Sequence, residues 1–186
     1  MLELVIGGVR SGKSDFAENR LKMWLEQDSQ QQAVYIATSV AIGEETKSRI
    51  ARHQLHRDSK ISTCELDYKE QDLQVYLEQY NKPGQLILIE CLSTWVGWYL
   101  SQDKPLKACI ADYESVKNKF ISELSQLQAK VVIVTGEVGC GLIGESKLMR
   151  CYADKLGELN QQAAALADRV TLVTAGIAQT IKTDTQ

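Results

Sequence analysis

The chain has 186 residues, 44% of them hydrophobic, which suits a single globular domain spanning residues 1–186. Its net charge of −3 supplies no basic field, so we expect no nucleic acid and favour a nucleotide or another small molecule as partner. No apolar run approaches the roughly 18 residues of a membrane span, so we expect no membrane span and a cytoplasmic location. The five cysteines form no C-x-x-C pair, which argues against a disulfide framework.

A phosphate-binding motif lies between the first two predicted elements. The apolar run at 2–6 predicts a strand, and helical spacing of apolar residues over 14–26 predicts a helix. The residues between them match G-x-x-x-x-G-K-[ST], in which backbone N–H groups cradle phosphates: Gly7, Gly8, Val9, Arg10, Ser11, Gly12, Lys13 and Ser14. In this motif Lys13 reaches the outer phosphates and the Ser14 hydroxyl binds Mg²⁺. The sequence therefore predicts a nucleotide site with Mg²⁺ as cofactor.

Short apolar runs then alternate with helical patterns. Further strands are predicted at 33–37, 61–65, 86–89, 131–135 and 170–173. Further helices are predicted at 72–80, 92–100, 111–127 and 146–167. This alternation predicts an α/β fold whose parallel sheet is covered on both faces. After the last strand we expect only a short tail.

Polar residues follow several of these strands, where a parallel sheet meets its ligand. Thr38 and Ser39 come directly after the strand at 33–37. Glu90 ends the next buried strand and so occupies the Walker B position, where a carboxylate holds the metal or its waters. Glu137 lies in a glycine-rich turn, where it could either face a ligand or cap a helix, and its spacing does not decide between the two.

A polar stretch at 44–58 predicts a surface helix. Arg49, His53 and Arg57 are four residues apart and share one face of this helix. A neutral imidazole between two guanidiniums could attack phosphorus and form a covalent intermediate. A polar surface helix also carries such residues without any catalytic role, and spacing alone favours this plainer interpretation.

An aromatic face follows Glu90, because Trp95, Trp98 and Tyr99 are spaced for one side of a helix. Packing in the core or between subunits is the default interpretation, and a platform for a large flat ligand is the alternative. A regulatory GTPase is disfavoured, because the N-K-x-D-like segment at 81–84 has Gly84 in place of the aspartate that reads guanine.

In their order along the chain, these motifs resemble the bifunctional adenosylcobinamide kinase/adenosylcobinamide-phosphate guanylyltransferase family of cobalamin biosynthesis. The resemblance runs from residue 4 to about residue 182 and is carried by the segments 7–14, 36–39, 49–53 with Arg57, 90–93, 137–141, 156–161 and 175–177. It implies a RecA-like, three-layer P-loop NTPase fold, a homotrimer, and a projecting polar helix that carries His53.

The resemblance also implies two reactions. ATP or GTP phosphorylates the aminopropanol hydroxyl of adenosylcobinamide, and GTP then donates GMP to adenosylcobinamide phosphate through a GMP-histidine intermediate. His53 and Lys13 are the catalytic residues in this scheme, and Ser14 and Glu90 hold the metal. Beyond the phosphate loop, the implied nucleotide-binding residues are Thr38, Ser39, Arg49, Arg57, Glu65 and Glu90.

Two positions depart from the family pattern. Gly136 replaces an expected asparagine and Gly144 an expected proline, so we expect a looser loop and an effect on corrinoid affinity more than on the chemistry. Two other functions stay open at this point. One is a plain P-loop small-molecule kinase without guanylyl transfer, and the other is a nucleotide-binding regulatory protein.

Overall fold

The computed structural model describes residues 1–28, 31–39, 60–141 and 144–183. In these residues the chain forms seven strands: β1 (Leu2–Gly7), β2 (Gln32–Ala37), β3 (Ile61–Glu65), β4 (Gln85–Glu90), β5 (Lys130–Gly136), β6 (Arg169–Thr174) and β7 (Ile177–Thr183). It also forms five helices: α1 (Lys13–Gln27), α2 (Leu73–Tyr80), α3 (Leu92–Leu100), α4 (Leu106–Leu124) and α5 (Lys147–Leu166). None of these described helices is both long and apolar enough to cross a membrane.

The strands form one sheet in the order β3-β2-β4-β5-β1-β6-β7. All neighbouring strands are parallel except β6 and β7, which are antiparallel. The α/β class and the mostly parallel sheet are therefore confirmed. Since parallel strands end at the same edge, this sheet brings five positions to one side of the molecule: Gly7, Ala37, Glu65, Glu90 and Gly136.

Helices cover both faces of the sheet, which explains why its central strands are apolar on both sides. The larger core lies between the sheet and helices α2 to α5, where the biggest fully buried side chains include Trp95, Tyr113 and Phe120. On the opposite face α1 packs over the sheet through Ala17, Leu21 and other apolar residues. The phosphate-binding segment thus leads into the helix that covers one face.

The C-terminal segment is a strand, so the prediction of a short tail is wrong. Ala175 and Gly176 have φ values of 52° and 78°, and they form a two-residue turn that joins β6 to β7 in a hairpin. An alanine with positive φ is uncommon, so the pair does not stand out as a hairpin signal in the sequence. The Lys182 ammonium donates to the carbonyls of Ala164 and Ala165, both at 3.1 Å, and so ties β7 to the end of α5.

The helix predicted at 111–127 is displaced and runs over Leu106–Leu124. It begins directly after Pro105, whose fixed φ suits the start of a helix. At the other end, the backbone N–H of Ser125 donates to carbonyls of the last turn. The helix therefore ends earlier than the apolar pattern predicts.

A buried ion pair joins β1, α1 and β6. The Glu3 carboxylate is fully buried, and its Oε2 lies 2.8 Å from Nε of Arg20. The Thr171 hydroxyl donates to Glu3 Oε1 at 2.9 Å. A buried carboxylate without a cation beside it destabilises a fold, so the stability of this protein depends on Arg20 as the partner of Glu3.

We predict that Arg20→Met destabilises the fold by about 3 kcal/mol, because it leaves the Glu3 charge buried and uncompensated. The double variant Glu3→Gln/Arg20→Met should recover most of this loss, since it removes both charges. Urea denaturation measures the free energy of unfolding of each variant. An equal loss in the single and double variants would contradict the ion-pair explanation.

Candidate active site

The phosphate loop is shaped by close contact with β6 and its hairpin. A Cβ at Gly7 would lie 2.4 Å from the Val173 carbonyl oxygen and 2.6 Å from Ser11 Oγ. Gly12 has φ 92°, and a Cβ there would lie 3.2 Å from Gly176 Cα. The Gly176 N–H donates to the Ser11 carbonyl at 2.8 Å. These glycines are needed because neighbouring backbone leaves no room for a side chain.

The loop leads directly into α1, which begins at Lys13. The helix N-terminus therefore points its N–H groups and the positive end of its dipole at the loop, an arrangement that favours bound phosphate. Lys13 Nζ donates to the Gly8 carbonyl at 3.0 Å, so the ammonium lies over the loop. Strand, glycine loop and helix are thus arranged as the motif predicts.

The Glu90 carboxylate lies beside the loop at the end of β4. The Ser14 hydroxyl donates to Glu90 Oε1, and the Tyr35 hydroxyl donates to Oε2 at 2.7 Å. A hydroxyl and a carboxylate suit Mg²⁺, which binds through one or two carboxylates together with substrate phosphates and waters. Ser14 and Glu90 are therefore a pair of donors beside the phosphate loop that fits this ion. Among the described residues there is no cluster of three His, Cys, Asp or Glu side chains that could hold a metal.

Thr38 supports the same strand end from within the protein. Its side chain is buried, and its Oγ1 accepts from the Cys91 N–H at 2.7 Å and donates to the Cys91 carbonyl at 2.8 Å. Its own N–H donates to the Glu90 carbonyl at 2.8 Å. Thr38 thus fixes the backbone that carries Glu90, and its contact with nucleotide stays a prediction.

A cavity of about 380 Å³ opens at the carboxyl ends of β2 and β3. Two of the predicted nucleotide-binding residues, Ser39 and Glu65, line it. The Tyr68 and Trp98 rings stack in its wall with centroids 4.6 Å apart and an interplanar angle of 27°. Because β3 is four strands from β1, the cavity lies about 19 Å from the phosphate loop along the same sheet edge.

Tyr68 links this cavity to the Glu90 strand end. Its hydroxyl donates to the Thr38 carbonyl at 2.7 Å. Burial raises the pKa of Tyr68, and the neighbouring Tyr99 and Cys91 raise it further, so the phenol keeps its proton and remains the donor. Sequence reasoning missed this residue, whose only signal was an aromatic side chain just after a predicted strand.

The three residues of the predicted aromatic face have different roles. Trp95 is buried in the core, where its ring lies 5.9 Å from that of Tyr113 and 5.3 Å from that of Phe120, so the packing interpretation is confirmed for it. The Tyr99 hydroxyl donates to Asp72. Trp98 alone of the three lines the cavity, and its use as a ligand platform stays a prediction.

Glu137 stabilises the glycine-rich turn in which it lies. Its Oε1 accepts from the Gly139 N–H at 2.6 Å, and its N–H donates to the Gly7 carbonyl at 3.0 Å. The alternative of a helix cap is wrong, because α5 is capped by Ser146, whose Oγ accepts from the Met149 N–H at 3.1 Å.

A buried amide holds the end of β5 beside the phosphate loop. Asn160 Oδ1 accepts from the Thr135 hydroxyl at 2.7 Å, and its Nδ2 donates to the Gly136 carbonyl at 3.0 Å. Gly136 pairs with Gly7 in the sheet, so this amide supports the strand next to the loop. The sequence pattern contained Asn160 but did not reveal this role.

The two glycines that depart from the family pattern are closely packed. A Cβ at Gly144 would lie 2.5 Å from Met149 Cβ, and one at Gly136 would lie 3.3 Å from Ser93 Cβ. These distances show how little room a side chain would have at either position, and the looser loop with its effect on corrinoid affinity stays a prediction. The two glycines allow the chain to approach the first turns of α5 and α3.

The remaining candidates lie elsewhere. Arg49, His53 and Arg57, with the polar helix predicted to carry them, lie outside the described residues. Asn81 lies at the amino end of β4, where its Oδ1 accepts from the Gln128 N–H at 2.7 Å and from the Ala129 N–H at 3.2 Å. This position is at the sheet edge opposite the phosphate loop, which agrees with rejecting a guanine-reading motif there.

Comparison with known proteins decides the family. The family described as cobinamide kinase / cobinamide phosphate guanyltransferase matches residues 3–181. This chain belongs to that family. The matched range contains the phosphate loop, Glu90 and the cavity residues, and the membership inferred from the order of motifs is confirmed.

Three curated relatives match along almost their whole length. The bifunctional adenosylcobalamin biosynthesis protein CobU of Escherichia coli (strain K12) is 36% identical over 192 residues, which cover 98% of this chain and 100% of the relative. The protein of the same name from Salmonella typhimurium is 35% identical over 193 residues, with coverage of 98% and 100%. The bifunctional adenosylcobalamin biosynthesis protein CobP of Pseudomonas aeruginosa is 31% identical over 182 residues, with 98% of each chain covered.

We predict that Gly7→Ala lowers the free energy of unfolding by about 2 kcal/mol, because the new methyl group would collide with the Val173 carbonyl. The matched control is Gly8→Ala, since a Cβ at Gly8 meets no atom within 4 Å. This control should change stability by less than about 0.5 kcal/mol. Denaturation of both variants without nucleotide measures the difference, and equal effects would contradict the packing explanation.

Proposed function

We propose that this chain phosphorylates the aminopropanol hydroxyl of adenosylcobinamide with ATP or GTP and then transfers GMP from GTP to the product. The second reaction gives adenosylcobinamide-GDP and pyrophosphate. The observation that carries the kinase half is the contact of Ser14 with Glu90 beside the Lys13 loop. Membership of a kinase and guanylyltransferase family supports the pairing of the two reactions. The loop after β1 and the parallel sheet support a RecA-like, three-layer P-loop architecture.

In the kinase reaction the protein mainly positions charges. The Lys13 ammonium turns from the Gly8 carbonyl to the outer phosphates, and the loop and α1 N–H groups bind the phosphate oxygens. Ser14 and Glu90 hold Mg²⁺, which neutralises charge on the phosphates when it is bound. The substrate hydroxyl then attacks the γ-phosphorus while the bond to the nucleoside diphosphate breaks.

The guanylyl reaction requires a nucleophile, for which we propose His53. Its neutral imidazole attacks the α-phosphorus of GTP, so an N–P bond forms and the P–O bond to pyrophosphate breaks. A phosphate oxygen of adenosylcobinamide phosphate then attacks the same phosphorus and displaces the imidazole. Arg49 and Arg57 neutralise the phosphate oxygens in both steps. Support for these roles comes from membership of the family, since the spacing by itself favours a plain polar surface helix.

The aromatic cavity is suited to the guanine base. Its stacked pair, Tyr68 and Trp98, provides an aromatic wall for a flat ring. Glu65 provides a carboxylate, which accepts hydrogen bonds from the N1–H and amino groups of guanine, whereas adenine has an acceptor at N1. We propose that the base of GTP binds here while its triphosphate extends past Glu90 to the loop. A homotrimer and a cytoplasmic location stay predictions.

We predict that GTP labelled at the α-phosphate leaves an acid-labile, base-stable label on the denatured protein, and that His53→Ala abolishes it. The matched control is His56→Ala, which changes the neighbouring histidine and should keep the label. Lys13→Ala should reduce kinase and guanylyl transfer by at least about 100-fold each, because both use the same triphosphate site.

Two outcomes would contradict this scheme. Label that persists in His53→Ala, or that is absent from the wild type, would exclude the histidine intermediate and favour a plain kinase. Guanylyl transfer that survives Lys13→Ala would exclude a shared triphosphate site. Nucleotide turnover that ignores added adenosylcobinamide would favour a regulatory nucleotide-binding protein.

We predict that Glu65→Gln weakens GTP binding by about tenfold or more and leaves ATP binding unchanged, because it removes a charged acceptor for guanine. Quenching of tryptophan fluorescence measures both dissociation constants, and the Trp98→Phe variant identifies the signal from the cavity wall. Asp67→Asn is the matched control, since it neutralises another carboxylate that lines the same cavity. Equal weakening by the two variants would contradict guanine recognition by Glu65.

A further inference from the structure

The two oxygens of the Glu90 carboxylate are held from different elements. Ser14, in the first turn of α1, donates to Oε1. Tyr35, in the middle of β2, donates to Oε2 at 2.7 Å. Of these two donors only Ser14 belongs to the phosphate-binding motif. The proposed kinase reaction gives the Tyr35 hydroxyl no role.

The sheet register places Tyr35 in position for this contact. Ala37 pairs with Glu90 between β2 and β4, and Tyr35 lies two residues earlier on the same face of the sheet. Such diagonal neighbours are within reach of an aromatic side chain. Tyr35 is only 4% exposed and packs in the core beneath α1, so its ring is held firmly.

A fixed phenol has a specific effect on a carboxylate that serves as a metal ligand. A carboxylate can turn about its last bond and present either oxygen to an ion, which lowers the population that is ready to bind. With Oε2 engaged by Tyr35, Oε1 is the oxygen directed at Ser14. Hydrogen bonds that orient a ligating group commonly change metal affinity by about 10- to 100-fold.

We propose that Tyr35 is a positioning residue that acts through Glu90 and fixes the carboxylate so that Oε1 faces Ser14 and the metal. The proposal rests on the proposed function, because it takes Ser14 and Glu90 as the metal donors. It assigns a role to a residue outside the phosphate-binding motif. The nucleotide itself does not touch Tyr35 in this arrangement, so metal affinity is the property that should change.

The test is Tyr35→Phe, which keeps the ring and removes only the hydroxyl. Electron paramagnetic resonance of Mn²⁺, added with GDP to the full chain, measures metal affinity without turnover. We expect the dissociation constant of Mn²⁺ to rise about tenfold. GDP binding in EDTA should stay unchanged. In the kinase assay the apparent KM for Mg²⁺ should rise while kcat at saturating Mg²⁺ is retained.

Two further variants make the result decisive. Tyr113→Phe removes another buried hydroxyl, one that donates to the Lys155 carbonyl at 3.3 Å on the other face of the sheet, and should leave Mn²⁺ affinity unchanged. Glu90→Gln should weaken Mn²⁺ binding more than Tyr35→Phe does. Normal Mn²⁺ affinity in Tyr35→Phe together with a loss in Glu90→Gln would overturn the role of Tyr35 alone. Normal affinity in both variants would overturn the proposed metal site as well.

Discussion

The position of the Glu90 carboxylate is the constraint on which the rest of the candidate site depends. It lies at the end of a central strand, and donors from α1 and β2 reach its two oxygens. Behind it, the Thr38 hydroxyl holds the next residue, Cys91, through both the N–H and the carbonyl of Cys91. A metal at this carboxylate would therefore have a fixed position relative to the sheet, to the phosphate loop and to the aromatic cavity.

The phosphate loop depends in turn on backbone packing. Gly7 lies against the Val173 carbonyl, and Gly12 lies against Gly176 in the β6–β7 hairpin. The C-terminal hairpin is thus part of the wall of the loop, although it contributes no charged group to the chemistry proposed here. Supporting polar contacts of this kind recur at the same sheet edge, where the Asn160 amide holds the end of β5. At the ends of β4 and β5, hydrogen bonds from neighbouring elements hold the backbone of the candidate site in place.

The two faces of the sheet contribute different parts of the candidate site. The face under α1 carries the groups that we propose to bind and orient the metal, because Ser14 lies in the first turn of α1 and Tyr35 packs beneath that helix. The opposite face contains the larger core, and one of its helices, α3, extends to the sheet edge and places Trp98 in the cavity wall. The hydroxyl of Tyr68 joins the two regions through Thr38. The proposed base recognition and the proposed phosphate chemistry should therefore respond to different substitutions.

Much of this architecture could be predicted, because the relevant signals are local in the sequence. Continuous apolar runs predicted the parallel strands, and the spacing of Gly7, Gly12 and Lys13 predicted the loop. The final strand was missed, because its turn uses Ala175 at positive φ, a conformation that sequence does not reveal.

The amino-acid sequence alone is enough to predict the fold class, the phosphate loop, the carboxylate at the end of β4 and the family. The folded chain was needed to show which distant residues meet: Tyr35 with Glu90, Tyr68 with Thr38 and Asn160 with Gly136. The physical reason is that these contacts arise from strand order and register. Strand order and register bring together side chains that are many residues apart, and no local pattern of apolar and polar residues encodes that pairing.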